Sequence, residues 1–325
     1  MKLHNDKELF STLATLAAKS LRITPAFVEK DYWITLILYN LANSPYADSV
    51  VFKGGTSLSK GYRLINRFSE DIDIAMIEEN LSGNALKTKI RNIEKEITVG
   101  FTETVEPNIT SKGSMFRKSV FEYPSSISGI LLGNTARRII VEINSFANPY
   151  PYVKQDISSF ITEFLSETNK QETIETYNLQ GFSLNVLDKR RTMIEKLVSL
   201  VRFSFSENPI QAIQSKIRHF YDLYYLAQDA GCAEYIRTDQ FKTDFWKLLE
   251  HDKAAFDTPD GWRMKDILES PLIVSLPVLW ESLRTTYQNE LAQLAFMPIP
   301  EEKEVAQSFE KIISCVHERK GKNYE

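Results

Sequence analysis

Cysteine and long apolar runs are scarce in this sequence of 325 residues. Its two cysteines, Cys232 and Cys315, are too few for a disulfide framework or a cysteine metal cage, and incidental thiols are typical of a reducing compartment. No apolar run approaches the ~18–20 residues that span a bilayer. The N-terminus carries Asp6, Lys7 and Glu8 where a signal peptide would have its apolar core. These absences argue against disulfide-rich secreted and membrane-spanning classes, and they predict a cytoplasmic protein with no membrane partner.

The charge is mildly acidic overall but unevenly distributed. The net charge is −4, with 43% hydrophobic and 25% charged residues, which is ordinary globular composition. At ~100–200 residues per domain, the length predicts two domains. The segment Val186–Arg218 holds seven basic and three acidic residues, a net charge of +4. A phosphate-rich ligand is therefore compatible with the charge, although the average argues weakly against one.

The hydrophobic pattern predicts a mixed first half and a helical second half. In the first half it predicts helices Glu8–Ser20 and Phe27–Asn43, strand Ser49–Lys53, short helix Ser57–Leu64, strand Ser69–Ile77, helix Asn84–Val99, and extended segments Phe101–Glu106, Met115–Tyr123 and Arg138–Phe146. It then predicts helix Gln155–Glu167, edge strand Thr173–Tyr177 and helices Leu187–Phe205, Pro209–Ala230, Thr238–Glu250, Pro277–Leu294 and Glu301–His317. We therefore predict an α+β fold, with a catalytic domain over residues 1–165 and an all-helical domain over 166–325.

A glycine pair directly follows the strand Ser49–Lys53. Gly54 and Gly55 have no Cβ, so the backbone at this point can approach a ligand closely. Free amides at the start of the next helix, near Thr56 and Ser57, are typical of an anion site. A Gly-Gly pair alone is more often an ordinary turn, so its meaning depends on the residues that follow.

Two carboxylates come sixteen residues after Gly55 on one predicted strand. Asp71 and Asp73 share a face because strand side chains alternate, and such a pair repels unless a cation lies between them. Hard oxygen ligands suit Mg²⁺ or Mn²⁺, which also bind triphosphate oxygens. A two-metal phosphoryl-transfer site usually needs a third carboxylate on a neighbouring strand, and Glu142 is the candidate. Each element alone is explained by solvent-exposed polar residues, whereas the joint pattern favours a metal-dependent site.

These residues resemble a known family. Gly54–Leu58 followed by Arg67–Asp73 is similar to the signature of AbiEii-type nucleotidyltransferases, the toxins of type IV toxin–antitoxin and abortive-infection systems that include the MenT toxins. The resemblance covers Ala26–Leu226. Further matches are the early Lys-Asp-Tyr helix in Glu29–Trp33, the helical lysine Lys196, and the Arg-x-x-x-Asp-Leu helix in Arg218–Leu223. The resemblance implies a DNA polymerase β-like mixed sheet flanked by helices, with the helical C-terminal domain contributing Lys196 and Asp222 to the cleft.

The resemblance also implies an activity, which is transfer of NMP from an NTP to an acceptor hydroxyl with Mg²⁺ or Mn²⁺ as cofactor. Asp71, Asp73 and Glu142 would hold the metal. Asp222 would orient Lys196 or take a proton, and a plain i,i+4 salt bridge between Arg218 and Asp222 is the alternative. The residues expected to bind the nucleotide are Gly54, Gly55, Thr56, Ser57, Ser69, Lys196 and Arg218. Lys30 and Asp31 are expected to hold the N-terminal helix against the sheet.

The acceptor implied by the MenT-like relatives is the 3′ end of tRNA. Basic residues that could track an RNA backbone, although solvated charge explains each equally well, are Lys60, Arg63, Arg67, Arg117, Arg137, Arg138 and Lys189–Arg191. A small-molecule acceptor, a protein acceptor and a non-catalytic nucleotide-binding module are the alternatives. The resemblance further implies an adjacent AbiEi-like antitoxin gene without a stable complex, and we expect a monomer.

Overall fold

The computed structural model describes residues 1–69, 71–77, 81, 83–127 and 137–317, so Glu70 of the signature lies outside the described residues. The chain divides into two compact units. One comprises Met1–Arg63 with Phe68–Leu187, and the other comprises Leu64–Arg67 with the residues from Asp188 onward. The domain limit at residue 165 stays a prediction. The boundary between the two compact units lies after Leu187.

The first unit contains helices and one mixed β-sheet. Its helices are α1 (Lys7–Leu21), α2 (Pro25–Ala42), α3 (Gly54–Lys60), α4 (Gly83–Ile97), α5 (Phe160–Glu167) and α6 (Gln171–Thr176). Its strands are β1 (Val50–Lys53), β2 (Asp71–Met76), β3 (Thr102–Thr104), β4 (Ser111–Lys112), β5 (Phe116–Glu122), β6 (Arg138–Asn144), β7 (Tyr152–Ile157) and β8 (Phe182–Leu187). Within the described residues the strand order is β3-β5-β6-β2-β1-β8-β7, with β4 paired to β5. The predicted mixed sheet flanked by helices is thereby confirmed.

The centre of the sheet is β2. It runs antiparallel to β1, with Lys53 opposite Asp73, and parallel to β6, with Asp73 opposite Glu142. Ile72 and Ile74 on the other face of β2 are completely buried. Alternation along this strand therefore divides a hydrophobic core from a polar face.

Buried charges attach α2 to its surroundings within the first unit. Oδ1 of Asp31 accepts a hydrogen bond from Nζ of Lys60 at 2.6 Å, and its Oδ2 accepts one from the amide of Phe160 at 2.8 Å. Nζ of Lys30 lies 5.5 Å from the ring centre of Phe68. Asp31 therefore attaches α2 to α3 and to the start of α5, whereas the role expected for it was to hold the helix against the sheet.

The second unit is helical, as predicted. Its helices are α7 (Lys189–Phe203), α8 (Pro209–Gln214), α9 (Arg218–Gln228), α10 (Ala230–Ile236), α11 (Asp239–Ala255), α12 (Pro271–Val274), α13 (Leu276–Leu294) and α14 (Glu302–His317). At its core the ring of Phe220 packs 5.3 Å from Trp280 and 4.8 Å from Phe309. In the described part of the chain, no helix combines the length and apolar character needed to cross a membrane.

Two secondary-structure predictions name the wrong kind of element, the predicted helix Pro209–Ala230 is divided into α8 and α9, and the strands β4 and β8 escape prediction. The segment Gln155–Glu167 is not one helix, because its first residues form β7 and the helix α5 starts only after Ser159, whose side chain accepts a hydrogen bond from the amide of Thr162. The segment Thr173–Tyr177 is not a strand, because α6 places Ile174 in the core. The strand β8 lies inside residues 166–325, which the sequence predicts to be all-helical, so that prediction is wrong for this segment.

Candidate active site

Three carboxylates lie on the polar face at the centre of the sheet. Asp71 and Asp73 alternate with the buried Ile72 and are themselves partly exposed. Glu142 is also partly exposed and is the direct neighbour of Asp73 across the parallel pair of β2 and β6. Register partners of neighbouring strands share a face, so the predicted third carboxylate lies beside the Asp-x-Asp pair.

Gly54 stands directly against one of these carboxylates. Its φ of +80° lies in the left-handed region that favours glycine. A Cβ at this position would collide with the carboxylate oxygen of Asp73 and lie 2.8 Å from its Cγ. The glycine therefore provides both the backbone turn from β1 into α3 and the room for Asp73.

The electrostatics of this face are those of crowded negative charge. Although the side chain of Asp73 is partly exposed, desolvation by the surrounding protein, together with the nearby Glu142 and Asp71, raises the pKa of Asp73 to about 7, while Lys53 and Lys118 act in the opposite direction. Nζ of Lys118 lies 3.4 Å from Oε2 of Glu142, its register partner on β5. The sequence analysis missed Lys118, since only the pairing of β5 with β6 brings it to the carboxylates.

The hydroxyl groups after the glycine pair donate hydrogen bonds to main-chain carbonyls. Thr56 Oγ1 donates to the main-chain oxygen of Asp71, and Ser57 Oγ donates to the main-chain oxygen of Gly54 at 2.9 Å. Both side chains are buried. Phosphate binding at this turn would therefore depend on main-chain amides rather than on these hydroxyls. Ser69 precedes β2, so the strand alternation that was expected to align it with Asp71 does not extend to it.

The family signature implies a divalent cation, and the donor chemistry of Asp71, Asp73 and Glu142 fits one. All three offer hard carboxylate oxygens, and their mutual repulsion is the electrostatic condition that a bound cation would relieve. Within residues 1–69, 71–77, 81, 83–127 and 137–317, however, no three Asp, Glu, His or Cys side chains are gathered at metal-ligand spacing. The residues thus fit a cation by chemical type and by the face they share, while Glu142 is ion-paired with Lys118.

The second unit brings together two other predicted site residues. Nζ of Lys196, on α7, lies 2.7 Å from Oδ2 of Asp222 on α9. The guanidinium of Arg67 binds the same carboxylate through both oxygens at 2.7 Å. Asp222 is completely buried, and Lys196 and Arg67 are nearly so. Arg67 is among the residues that could track an RNA backbone or carry solvated charge, and in the structure it shares Asp222 with Lys196 in a buried ion-pair cluster.

The state of Asp222 follows from these contacts. Burial alone would raise the pKa of Asp222, but Arg67 and Lys196 outweigh it and hold the pKa well below its ordinary value. This disfavours the reading in which Asp222 takes a proton and favours the one in which it orients Lys196. Arg218 makes its ion pair with Glu290 at 3.2 Å, so the plain salt bridge to Asp222 is not the arrangement found.

Most basic residues considered for RNA are in ion pairs within their own units. Lys60 pairs with Asp31, and Arg63 lies 3.0 Å from Glu163. The remaining pairs are Arg117 with Glu94, Arg138 with Glu106, Lys189 with Asp229, Arg190 with Asp188 and Arg191 with Glu195. These cations are therefore partly compensated, and their number overstates the positive potential available to a nucleic acid.

Comparisons with known proteins agree with the signature. The family model described as the nucleotidyl transferase AbiEii toxin of a type IV toxin–antitoxin system matches residues 36–313. Among solved structures, MenT4, a nucleotidyltransferase toxin from Mycobacterium tuberculosis H37Rv, superimposes with a TM-score of 0.59 at 17% identity, over 92% of this chain and 89% of that one. The comparison with curated protein sequences gives no match. The chain belongs to the AbiEii family of nucleotidyltransferase toxins of type IV toxin–antitoxin systems.

Proposed function

We propose that this nucleotidyltransferase transfers NMP from an NTP to the 3′ hydroxyl of tRNA in a reaction that depends on Mg²⁺ or Mn²⁺. The observation that carries this proposal is the set of three carboxylates on one face of β2 and β6, with Gly54 packed against Asp73. Such a face attracts cations and repels unneutralised phosphates. It is the environment that metal-assisted nucleotidyl transfer needs.

In the proposed reaction the acceptor oxygen attacks the α-phosphorus, a new oxygen–phosphorus bond forms, and pyrophosphate leaves. A divalent cation held by Asp71, Asp73 and Glu142 would neutralise phosphate charge and make the acceptor hydroxyl easier to deprotonate. The chain itself positions the nucleotide. Main-chain amides near Gly55 face the β- and γ-phosphates, and Lys196 offsets the charge that develops on pyrophosphate.

The tRNA acceptor is supported by the MenT-like signature rather than by an exposed basic surface. Because most of the basic residues considered for RNA are in ion pairs, recognition would depend on a few contacts near the 3′ end. This makes the acceptor the part of the proposal that most needs a direct test. The alternatives are a small molecule with a hydroxyl group and a protein side chain.

The acceptor can be identified with NTPs labelled at the α-phosphate and total bacterial RNA. Transfer to the tRNA 3′ end predicts label that migrates with tRNA and is removed by RNase. It also predicts that no label is incorporated when the RNA 3′ ends are oxidised by periodate before the reaction. Label that resists RNase would instead indicate a protein or small-molecule acceptor. Sequencing of tRNA 3′ ends after the reaction shows which nucleotide is added. Label from the γ-phosphate in the acceptor would contradict nucleotidyl transfer.

The toxin role is tested in a bacterial host. Induction of the wild type should arrest growth, and induction of Asp71→Asn at the same protein level should not. The family implies an antitoxin partner. We propose that an AbiEi-like antitoxin, encoded next to the toxin, counteracts it without forming a stable complex. Co-purification of the two proteins in fixed ratio would contradict that arrangement.

A further inference from the structure

Arg67 makes the most extensive charged contact with Asp222 in the second unit. Its Nε donates to Oδ1 and its Nη2 donates to Oδ2, both at 2.7 Å, in the two-pronged geometry that matches a guanidinium to a carboxylate. Lys196 donates to the same Oδ2 at 2.7 Å. One carboxylate therefore serves two cations, and none of the three side chains exposes more than a small fraction of its surface.

The backbone of Arg67 is also fixed in this unit. Arg67 forms an antiparallel bridge with Ala295, just after α13, and the amide of Phe296 donates to the carbonyl of Asn66 at 3.0 Å. The side chain and the main chain of Arg67 are thus held by different elements. Such a residue has little freedom to follow an RNA backbone, so its role must be sought in the ion pair.

The charge of the cluster decides what Lys196 can do. Arg67 and Lys196 carry two positive charges, Asp222 carries one negative charge, and the sum is +1. Without Arg67, Lys196 and Asp222 would form a buried ion pair with no net charge. Little water would reach this pair to stabilise its charges. With Arg67 present, the Asp222 charge is already satisfied. The three-proton ammonium of Lys196 then has donors left for an anion.

We infer that Arg67 is a positioning residue, which neutralises Asp222 so that Lys196 keeps a net positive charge for phosphate oxygens. This inference rests on the proposed function, in which Lys196 contacts the triphosphate. It assigns Arg67 to the nucleotide side of the reaction through Lys196 and removes it from the residues considered for RNA. We therefore expect the affinity for the nucleotide to depend on the net charge of the cluster and not on any single contact.

Four variants of the full-length protein, each compared with the wild type, test this dependence, with a non-hydrolysable NTP analogue titrated calorimetrically in the presence of Mg²⁺. Arg67→Met has a cluster charge of zero and should bind the analogue about tenfold more weakly than wild type, or weaker still. The double variant Arg67→Met with Asp222→Asn again has a charge of +1 and should recover most of that loss. Arg67→Lys keeps the charge and should bind within about threefold of wild type. Arg202→Met, which removes a half-buried arginine paired with Asp252, is the matched control and should bind as wild type does.

The outcomes separate the inference from the proposed function. A wild type that does not bind the analogue would overturn both. If the wild type binds, the inference alone is overturned by equal affinity of Arg67→Met, or by a folded double variant that binds no better than Arg67→Met. Circular dichroism checks folding of each form. Should Arg67→Met unfold, Arg67→Lys still tests the inference, because it keeps the cluster charge of +1 and must bind the analogue within about threefold of wild type.

Discussion

Gly54 and Asp73 are packed so closely that no side chain fits between them. The glycine ends β1 with a φ of +80°, and a Cβ on it would lie 2.8 Å from Cγ of the aspartate on the neighbouring strand. The backbone of the Gly-Gly turn and the carboxylate face are therefore one structural feature. A nucleotide whose phosphates approach the turn would meet the carboxylates at the same place.

Gly54→Ala should reduce NMP transfer by about 100-fold, because the methyl group must displace Asp73. Left-handed strain adds about 1–2 kcal/mol of destabilisation. Gly100→Ala is the matched control, since Gly100 has a φ of +88° and, apart from its chain neighbours, no atom of the described residues lies within 4 Å of the place that a Cβ would occupy. Gly100→Ala should lower the free energy of unfolding in a denaturation curve by a similar amount and keep the wild-type activity. Equal loss of activity in both variants would show that strain, and not the contact with Asp73, is responsible.

Asp73→Asn should fold as well as the wild type or better when divalent cations are absent. The substitution removes one of three like charges that repel on the same face. Mg²⁺ or Mn²⁺ should raise the Tm of the wild type, since a ligand that binds only the folded state stabilises it, and should raise that of Asp73→Asn much less. Thermal unfolding with and without each cation provides the measurement. The same cation-induced rise in both proteins would contradict a cation site at Asp73.

Lys118→Met should lower the stability of the protein without a bound cation and raise its affinity for a divalent cation. Lys118 is the positive charge paired with Glu142, so its loss leaves the carboxylates less compensated and more attractive to a divalent cation. We expect an increase of about threefold to tenfold in Mn²⁺ affinity, measured by calorimetry. Lys112→Met is the control, because Lys112 pairs instead with Glu103 at 2.7 Å. Weaker Mn²⁺ binding by Lys118→Met would refute the role of Lys118 as a counterion.

His219 should make the second unit sensitive to mild acid. Burial, with Lys196 nearby, lowers the pKa of His219 well below the ordinary value, and its Nδ1 has no hydrogen-bond partner among the described residues. Below about pH 6.5 the unfolded chain therefore binds a proton that the folded chain does not, so the free energy of unfolding falls as the pH falls. The contribution is up to about 1.4 kcal/mol for each pH unit.

His219→Gln should lose this part of the pH dependence. Urea unfolding at pH 7, 6 and 5 measures it, and the curve of the variant should be flatter than that of the wild type. His251→Gln, which removes an exposed histidine of the same unit, controls for the loss of a histidine as such. Parallel curves for the wild type and His219→Gln would mean that His219 takes up a proton equally in the folded and unfolded states, which would contradict a lowered pKa.

The carboxylate face could be predicted because each carboxylate is indicated by the residues next to it in the sequence. Alternation fixes the face of Asp71 and Asp73 from the sequence alone, and Glu142 has the same signal in its own strand. The ion pair of Arg67 with Asp222 joins residues 155 positions apart, and no pattern near either residue indicates it. Lys118 is hidden for the same reason, since its role appears only when β5 pairs with β6.

The two wrong secondary-structure predictions have separate causes. One follows from not predicting the strand β8, and the other from a strand propensity that burial outweighs. β8 shows the alternation of a strand, but its parallel partner β1 is far away in the sequence, and without β8 the segment of β7 has no pairing partner and was assigned to a helix. The β-branched residues of α6 favour a strand by less than about 1 kcal/mol each. Burial of Ile174 against the core outweighs that preference.

The central claim is that Asp71, Asp73 and Glu142 support transfer of the α-phosphoryl group of an NTP. The most direct measurement compares wild type and Asp73→Asn, each incubated with total RNA, Mg²⁺ and NTPs labelled separately at the α- and γ-phosphates. The account predicts α-label in the acceptor and γ-label in pyrophosphate for the wild type, with the rate reduced at least about 100-fold in a folded Asp73→Asn. An unchanged rate in Asp73→Asn, or γ-label in the acceptor, would contradict it.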